Sequence, residues 1–189
     1  MRITGGTLCG RRVQVPAGVI RPSMDQMRES VFACLGDLCE KSFLDIFSGS
    51  GIIALEAASR GASRIEAVEN DPLKRKTLLE NVSISPVRIN CRFISAELYI
   101  QRGKAPFDYI FLDPPFPYQY KWELAARIAA SSLVSQGSVI LMHRPRQDYQ
   151  KEDIVMLERT DSREYGRSVV DFFKVREQGT GTREQEFGS

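Results

Sequence analysis

Histidine is nearly absent from these 189 residues: His143 is the only one. A single imidazole cannot build a histidine-based metal site. A Ser-His-Asp triad would have to recruit it, yet no Gly-x-Ser-x-Gly elbow occurs. Zinc hydrolases and serine hydrolases are largely excluded. Cysteine is scarce too. The four, Cys9, Cys34, Cys39 and Cys91, are scattered, with no Cys-x-x-Cys pair. Metal clusters and disulfide frameworks need tighter or more regular spacing. The thiols are therefore expected to be reduced and mostly buried, and no metal is expected. No apolar run approaches the ~20 residues that cross a bilayer, so no membrane attachment is expected. The opening Met1-Arg2-Ile3-Thr4-Gly5-Gly6 lacks the apolar stretch of a secretory signal. The expected location is cytoplasmic.

Acidic residues are missing from the start of the chain. Arg2, Arg11, Arg12 and Arg21 all precede the first of them, Asp25, although the net charge is only +2. Such a basic arm suits a polyanionic partner touched at one end. A solvated, arginine-rich surface strand has the same composition, and composition does not separate the two. Hydrophobic residues at 42% and charged residues at 26% fit one globular domain, with enough chain for a sizeable core.

The first twenty residues read as short strands and turns, with Arg12 to Val15 alternating before Pro16 and Gly18 interrupt. From Asp25 the pattern becomes helical. Met27, Val31, Cys34, Leu35 and Leu38 form one apolar stripe, with Asp25 as N-cap and Arg28 and Glu29 on the polar side. Strands and helices then alternate. Strands are predicted over Phe43 to Phe47, Arg64 to Glu69, Asn90 to Ile94, Phe107 to Leu112 and Ser138 to Met142. Helices are predicted over Gly51 to Arg60, Pro72 to Val82, a short segment after Ile94, and Tyr120 to Leu133. This rhythm predicts an α/β, Rossmann-like fold whose sheet is mostly parallel, with helices on both faces. Asp153 to Leu157 and Ser168 to Val175 read as two strands closing the sheet in an antiparallel hairpin. Gln178 to Ser189 is polar and expected to be disordered, its closing Glu-Phe-Gly-Ser resembling a cloning scar.

The first strand runs into Asp45-Ile46-Phe47-Ser48-Gly49-Ser50-Gly51-Ile52-Ile53-Ala54. Gly49-x-Gly51-x-x-Ala54 fits a nucleotide-binding turn, and Glu69 stands about 20 residues on, where a carboxylate can accept both ribose hydroxyls. Two ligand classes fit: a nicotinamide dinucleotide or S-adenosylmethionine. A dehydrogenase commonly uses His or a Tyr-x-x-x-Lys pair, and no Tyr stands four residues before a Lys. Asp45, inside the turn, suits an amino group and would repel a pyrophosphate. These residues favour S-adenosylmethionine.

The fourth strand ends in Asp113-Pro114-Pro115-Phe116, at the carboxyl edge where open α/β sheets bind ligands. Two consecutive prolines stiffen the backbone and remove both amide donors. The Asp113 carboxylate and Pro114 carbonyl then offer two acceptors to the two hydrogens of an exocyclic amine. Phe116 supplies a face on which a base can stack.

With these motifs the chain looks like a class I methyltransferase acting on a base amino group. More closely, it resembles the RsmD family of small-subunit ribosomal RNA (guanine-N2)-methyltransferases, from residue 1 to about 175. Arg21-Pro22-Ser23-Met24-Asp25-Gln26-Met27-Arg28-Glu29, the Asp45-to-Gly51 turn, Ser59-Arg60-Gly61-Ala62 and Phe111-to-Phe116 carry the resemblance, with Tyr165-Gly166 before the last strand. It implies a seven-stranded sheet with a reversed last strand and a substrate presented within an assembling small ribosomal subunit. It also implies three segments: an RNA-contacting arm and helix (1–40), the methyltransferase domain (41–176) and a tail (177–189). The expected cofactor set is Asp45, Phe47, Gly49, Gly51, Glu69, Asn70, Ser95 and Ala96. Asp113, Pro114 and Phe116 are the expected catalytic residues, and Arg2, Arg11, Arg12 and Arg21 the expected RNA grip. One departure stands out. The family usually has Asp-Ala after the third strand, its acid contacting the adenine amino group, where this chain has Ser95-Ala96, a weaker acceptor.

The implied chemistry is direct methyl transfer, with Asp113 and the Pro114 carbonyl holding the amine and Asp113 taking its proton. The base must leave its stack to enter the pocket. Adenine N6 or cytosine N4 of DNA or RNA would satisfy Asp-Pro-Pro-Phe equally well. A non-catalytic RNA-binding assembly factor is a further alternative, although it would have no need of Gly49, Gly51, Glu69 and Asp113 together.

Overall fold

A computed structural model describes residues 1–15, 23–148 and 153–176. Pro16, Gly18, Arg21 and the tail from Gln178 lie outside the described residues, and the expectations attached to them remain expectations. In chain order the elements are α1 (Ser23–Leu35), β1 (Ser42–Ile46), α2 (Ile52–Ser59), β2 (Arg64–Val68), a 3-10 turn (Pro72–Lys74) and α3 (Arg75–Val82). Then come β3 (Ile89–Arg92), α4 (Ala96–Arg102), β4 (Tyr109–Leu112), α5 (Lys121–Ala129), β5 (Val139–Pro145), β6 (Leu157–Tyr165) and β7 (Ser168–Val175).

The strands form one seven-stranded sheet in the order β3-β2-β1-β4-β5-β7-β6. β3 through β5 run parallel, and β7 is antiparallel to both β5 and β6. Every residue of β1 is buried, as a central parallel strand with both faces covered requires. Successive side chains on a strand point to opposite faces, and the core divides accordingly. Phe43, Ile65, Phe111 and Leu141 pack with α1, α2 and α3, together with Ile3, Leu8 and Val13 of the N-terminal arm. Leu44, Ile110, Ile140 and Met142 pack with α4 and α5. The order reverses between β1 and β4, the place where a doubly wound sheet opens a crevice at its carboxyl edge.

Four local expectations are corrected. Arg28 does not lie on the polar side of its helix; it is fully buried, because acids of α1 and α2 meet it there. The thiols are not mostly buried: Cys9, Cys34 and Cys39 are exposed and Cys91 is half-buried. Cys9 and Cys39 sit in turns, and Cys34 lies on the outward face of α1, bonded to the Ser30 carbonyl. The penultimate strand starts at Leu157 rather than ending there. β6 is an edge strand buried only at its two ends, so it carries no alternation of apolar residues to read. The fifth strand continues past Met142 through His143 and Arg144 to Pro145. These polar residues are buried, with Arg144 Nε donating to Asp171 Oδ2 of β7 at 2.5 Å.

Candidate functional site at the carboxyl edge of the sheet

The turn after β1 is tight and internally braced. Phe47 adopts φ 67° and Gly51 φ 80°. The former is an uncommon conformation for a residue with a side chain and marks a constrained loop. At Gly51 a side chain would be doubly excluded, since a Cβ would stand 2.6 Å from Leu78 Cδ1 of α3. Asp45 sits under this turn and does not line the cleft above it. Its Oδ2 accepts from Ser48 Oγ at 2.6 Å and from the Ala54 amide at 3.2 Å, while Oδ1 is buried with no partner among the described residues. Burial, reinforced by the charges of Asp113 and Glu69, pushes its carboxyl up to about 7 despite the Ser48 hydrogen bond. The Asp45 side chain therefore pins the turn.

Glu69 follows β2 directly and is 5% exposed. Its Oε2 accepts from the Gly49 amide and its Oε1 from the Asp71 amide, both at 2.8 Å. One carboxylate thus ties the turn after β1 to the turn after β2, with Lys74 Nζ 3.7 Å away. Ser95 caps α4, its Oγ accepting from the Leu98 amide at 3.2 Å. The Glu97 carboxyl is held below its ordinary range, chiefly by the Tyr118 hydroxyl donating to it at 2.5 Å.

A cleft of about 760 Å³ collects these groups. One part of its wall is Phe47, Gly49, Glu69, Asn70, Ser95 and Ala96; the other is Asp113, Pro114, Pro115 and Phe116, with Tyr118 and His143. Both predicted halves therefore share one cavity, while Asp45 and Gly51 support it from below. Its acids (Glu69, Asp71, Glu97 and Asp113) outnumber its one lysine, Lys74, which favours a ligand carrying positive charge.

His143 is the member of this wall that the motifs do not point to. β4 and β5 are in parallel register with Leu112 beside Met142, which brings the next residues, Asp113 and His143, side by side. His143 Nδ1 lies 2.7 Å from Asp113 Oδ1, and its ring meets that of Phe116 edge-on at 6.0 Å. Extending the predicted fifth strand by one residue would have placed the only histidine there.

The arm lies on the same side of the sheet as α2. Arg2 and Arg12 face each other across an antiparallel bridge. Arg2, Arg11 and Arg12 are exposed and make no ion pair among the described residues. Asn81 of α3 joins the arm to the glycine turn after β1: it accepts from the Gln14 amide at 2.9 Å and donates to the Gln14 and Ser50 carbonyls.

Residues 1–174 match the model of the family described as Conserved hypothetical protein 95. The chain belongs to that family. Membership agrees with the resemblance of its motifs to RsmD-type proteins. Ribosomal RNA small subunit methyltransferase D of Escherichia coli strain K12 is 32% identical over 120 residues, 61% of this chain and 60% of that protein. The match thus spans less than two thirds of that relative's length. The protein of the same name from Haemophilus influenzae is 28% identical over 151 residues, 74% of this chain and 76% of that one. The solved structure of yhhF from Escherichia coli superposes with a TM-score of 0.85 over 94% of this chain and 99% of that chain, at 24% identity. At that identity the likeness establishes the fold, including the reversed strand β7.

Proposed function

We propose that this chain transfers a methyl group from S-adenosylmethionine to the exocyclic N2 of a guanine in small-subunit ribosomal RNA. The observation that carries the reading is the single cleft holding both Glu69 with its glycine turn and Asp113-Pro114-Pro115-Phe116. The names of the Escherichia coli and Haemophilus influenzae relatives support ribosomal RNA as the substrate class.

The residues present fit S-adenosylmethionine. The cleft is acidic, which suits a sulfonium and an ammonium. Phe47 and Gly49 line its wall, and Glu69 offers a carboxylate for ribose hydroxyls. Ser95 would face the adenine amino group, with its hydroxyl oxygen already accepting from Leu98. When bound, the cofactor supplies an electrophilic methyl group on sulfur.

The chain's own groups do the rest. Guanine N2 is a poor nucleophile because its lone pair is delocalised into the ring. Asp113 and the Pro114 carbonyl accept its two hydrogens, holding the amine so that its lone pair is available. Phe116 stacks against the base after it leaves the RNA stack. As the new N–C bond forms, the methyl–sulfur bond would break to leave a neutral thioether, and the amine would give up one proton to the Asp113 carboxylate. Holding the partners in a near-attack arrangement contributes most, since such positioning is worth several kcal/mol.

Incubation of unmodified small ribosomal subunits with labelled S-adenosylmethionine, followed by nucleoside analysis, tests this. N2-methylguanosine is the expected product. Asp113→Asn should reduce its formation by at least ~100-fold with cofactor affinity nearly intact. Label on adenine or cytosine, or no label at all, would overturn the assignment.

A further inference from the structure

We propose that His143 is a positioning residue for this site, donating its Nδ1–H to Asp113 so that the carboxylate meets the amine in one orientation. The inference rests on the methyl-transfer reading above.

The geometry begins with the sheet. Parallel pairing of β4 and β5 sets Asp113 and His143 next to each other at the carboxyl edge, one position past Leu112 and Met142. The histidine side chain is 4% exposed and that of the aspartate 25%. A buried imidazole therefore backs a carboxylate that faces the cleft. Nδ1 and Oδ1 are 2.7 Å apart, the length of a charge-assisted hydrogen bond.

The second ring nitrogen decides which atom carries the proton. Nε2 is buried and has no partner among the described residues. An imidazolium would leave an N–H there without an acceptor, and so would the Nε2–H tautomer. That tautomer would also press the bare Nδ1 lone pair against a carboxylate oxygen. The neutral Nδ1–H form satisfies its one donor and leaves only a lone pair unmatched, which is the smaller cost. His143 thus meets Asp113 as a donor through Nδ1. With Oδ1 held, Asp113 Oδ2 makes no hydrogen bond among the described residues and is left for the amine. The same imidazole touches the edge of Phe116, so it braces the acceptor and the stacking ring together.

Two measurements test this, and they fail separately from the functional reading. Because His143 is the only histidine, nitrogen NMR of the intact protein labelled with ¹⁵N-histidine reports this ring alone and needs no activity. At neutral pH the proton is expected on Nδ1, and Asp113→Ala should alter that resonance. A proton on Nε2, or on both nitrogens, would overturn the proposal even if methyl transfer is confirmed. In the methyl-transfer assay His143→Ala should lower kcat by about tenfold or more, leaving KM for the subunit and cofactor affinity unchanged. His143→Asn, which keeps an N–H at the Nδ1 position, should recover activity to within about threefold of wild type. Against Asp113→Asn, His143→Ala should cost clearly less than it does alone, since much of its effect runs through that hydrogen bond. Additive losses, or wild-type kcat in His143→Ala, would overturn the positioning role. An inactive wild-type protein would overturn the functional reading and leave the NMR result to decide the hydrogen bond.

Discussion

Arg28 of α1 and Glu56 of α2 form an ion pair at 3.0 Å in which both side chains are entirely buried. Around them the arm is gathered in. Arg28 also donates to the Arg2 carbonyl at 2.8 Å and to Asp25 at 2.6 Å. Glu56 also accepts from the Thr4 amide at 2.9 Å and from Arg60. Two charges taken out of water are tolerated because nearly every donor and acceptor around them is matched. The cluster fastens the arm and α1 to α2, the helix that follows the glycine turn.

Removing one partner should therefore be costly. Arg28→Ala leaves Glu56 buried with less compensation, and breaking such a pair typically costs about 3–5 kcal/mol. Chemical denaturation should register that loss, and limited proteolysis should cut the arm sooner. A change below about 1 kcal/mol would place the pair among weak interactions.

The buried carboxyl of Asp45 makes stability depend on pH. Burial raises its folded-state value from 3.8 to about 7, so the folded protein binds this proton more tightly than the unfolded chain. The contribution is fully present below about pH 4 and is lost as pH rises through about 7. In Asp45→Asn the side chain does not titrate. The melting temperature of ligand-free wild type should therefore fall relative to that variant between pH 4 and 7, then run parallel to it. A constant offset across that range would show that Asp45 does not titrate there.

Glu69 has one observed role, tying two turns together, and one proposed role, binding ribose, and a single substitution removes both. Glu69→Ala frees the Gly49 and Asp71 amides and deletes the expected ribose acceptor. S-adenosylmethionine binding should weaken by ~1–3 kcal/mol, the usual cost of deleting a charged hydrogen-bond partner. Unchanged affinity in calorimetry would count against this site.

The arm arginines are testable by salt. Arg11 and Arg12 are exposed, so replacing both by Ala should leave melting temperature and cofactor affinity alone. Binding to RNA or to the subunit should weaken. Its logarithmic salt slope should flatten by about 0.7 for each single-stranded phosphate that is no longer neutralised. An identical slope in the double variant would reduce these residues to surface solvation.

Alternating strands and helices, the glycine turn, Glu69 and Asp-Pro-Pro-Phe were all legible in the chain itself. Each depends on local rules: hydrophobic period, the backbone freedom of glycine, the rigidity of proline. Apolar runs revealed the inner strands because their faces are buried on both sides. β6 escaped because an edge strand held mainly by its backbone ladder needs no apolar pattern. Arg28 and His143 escaped for a different reason. A charged residue inside a helix reads as solvent-facing, and a histidine after an apolar run reads as the end of a strand. Their roles depend on Glu56, 28 residues beyond Arg28, and on Asp113, 30 residues before His143. Residue order alone thus determined the architecture and the parts of the cleft. Which polar side chains are buried, and with which partners, was decided only by tertiary packing, because burying a charge or an imidazole is favourable only where the fold delivers its partner.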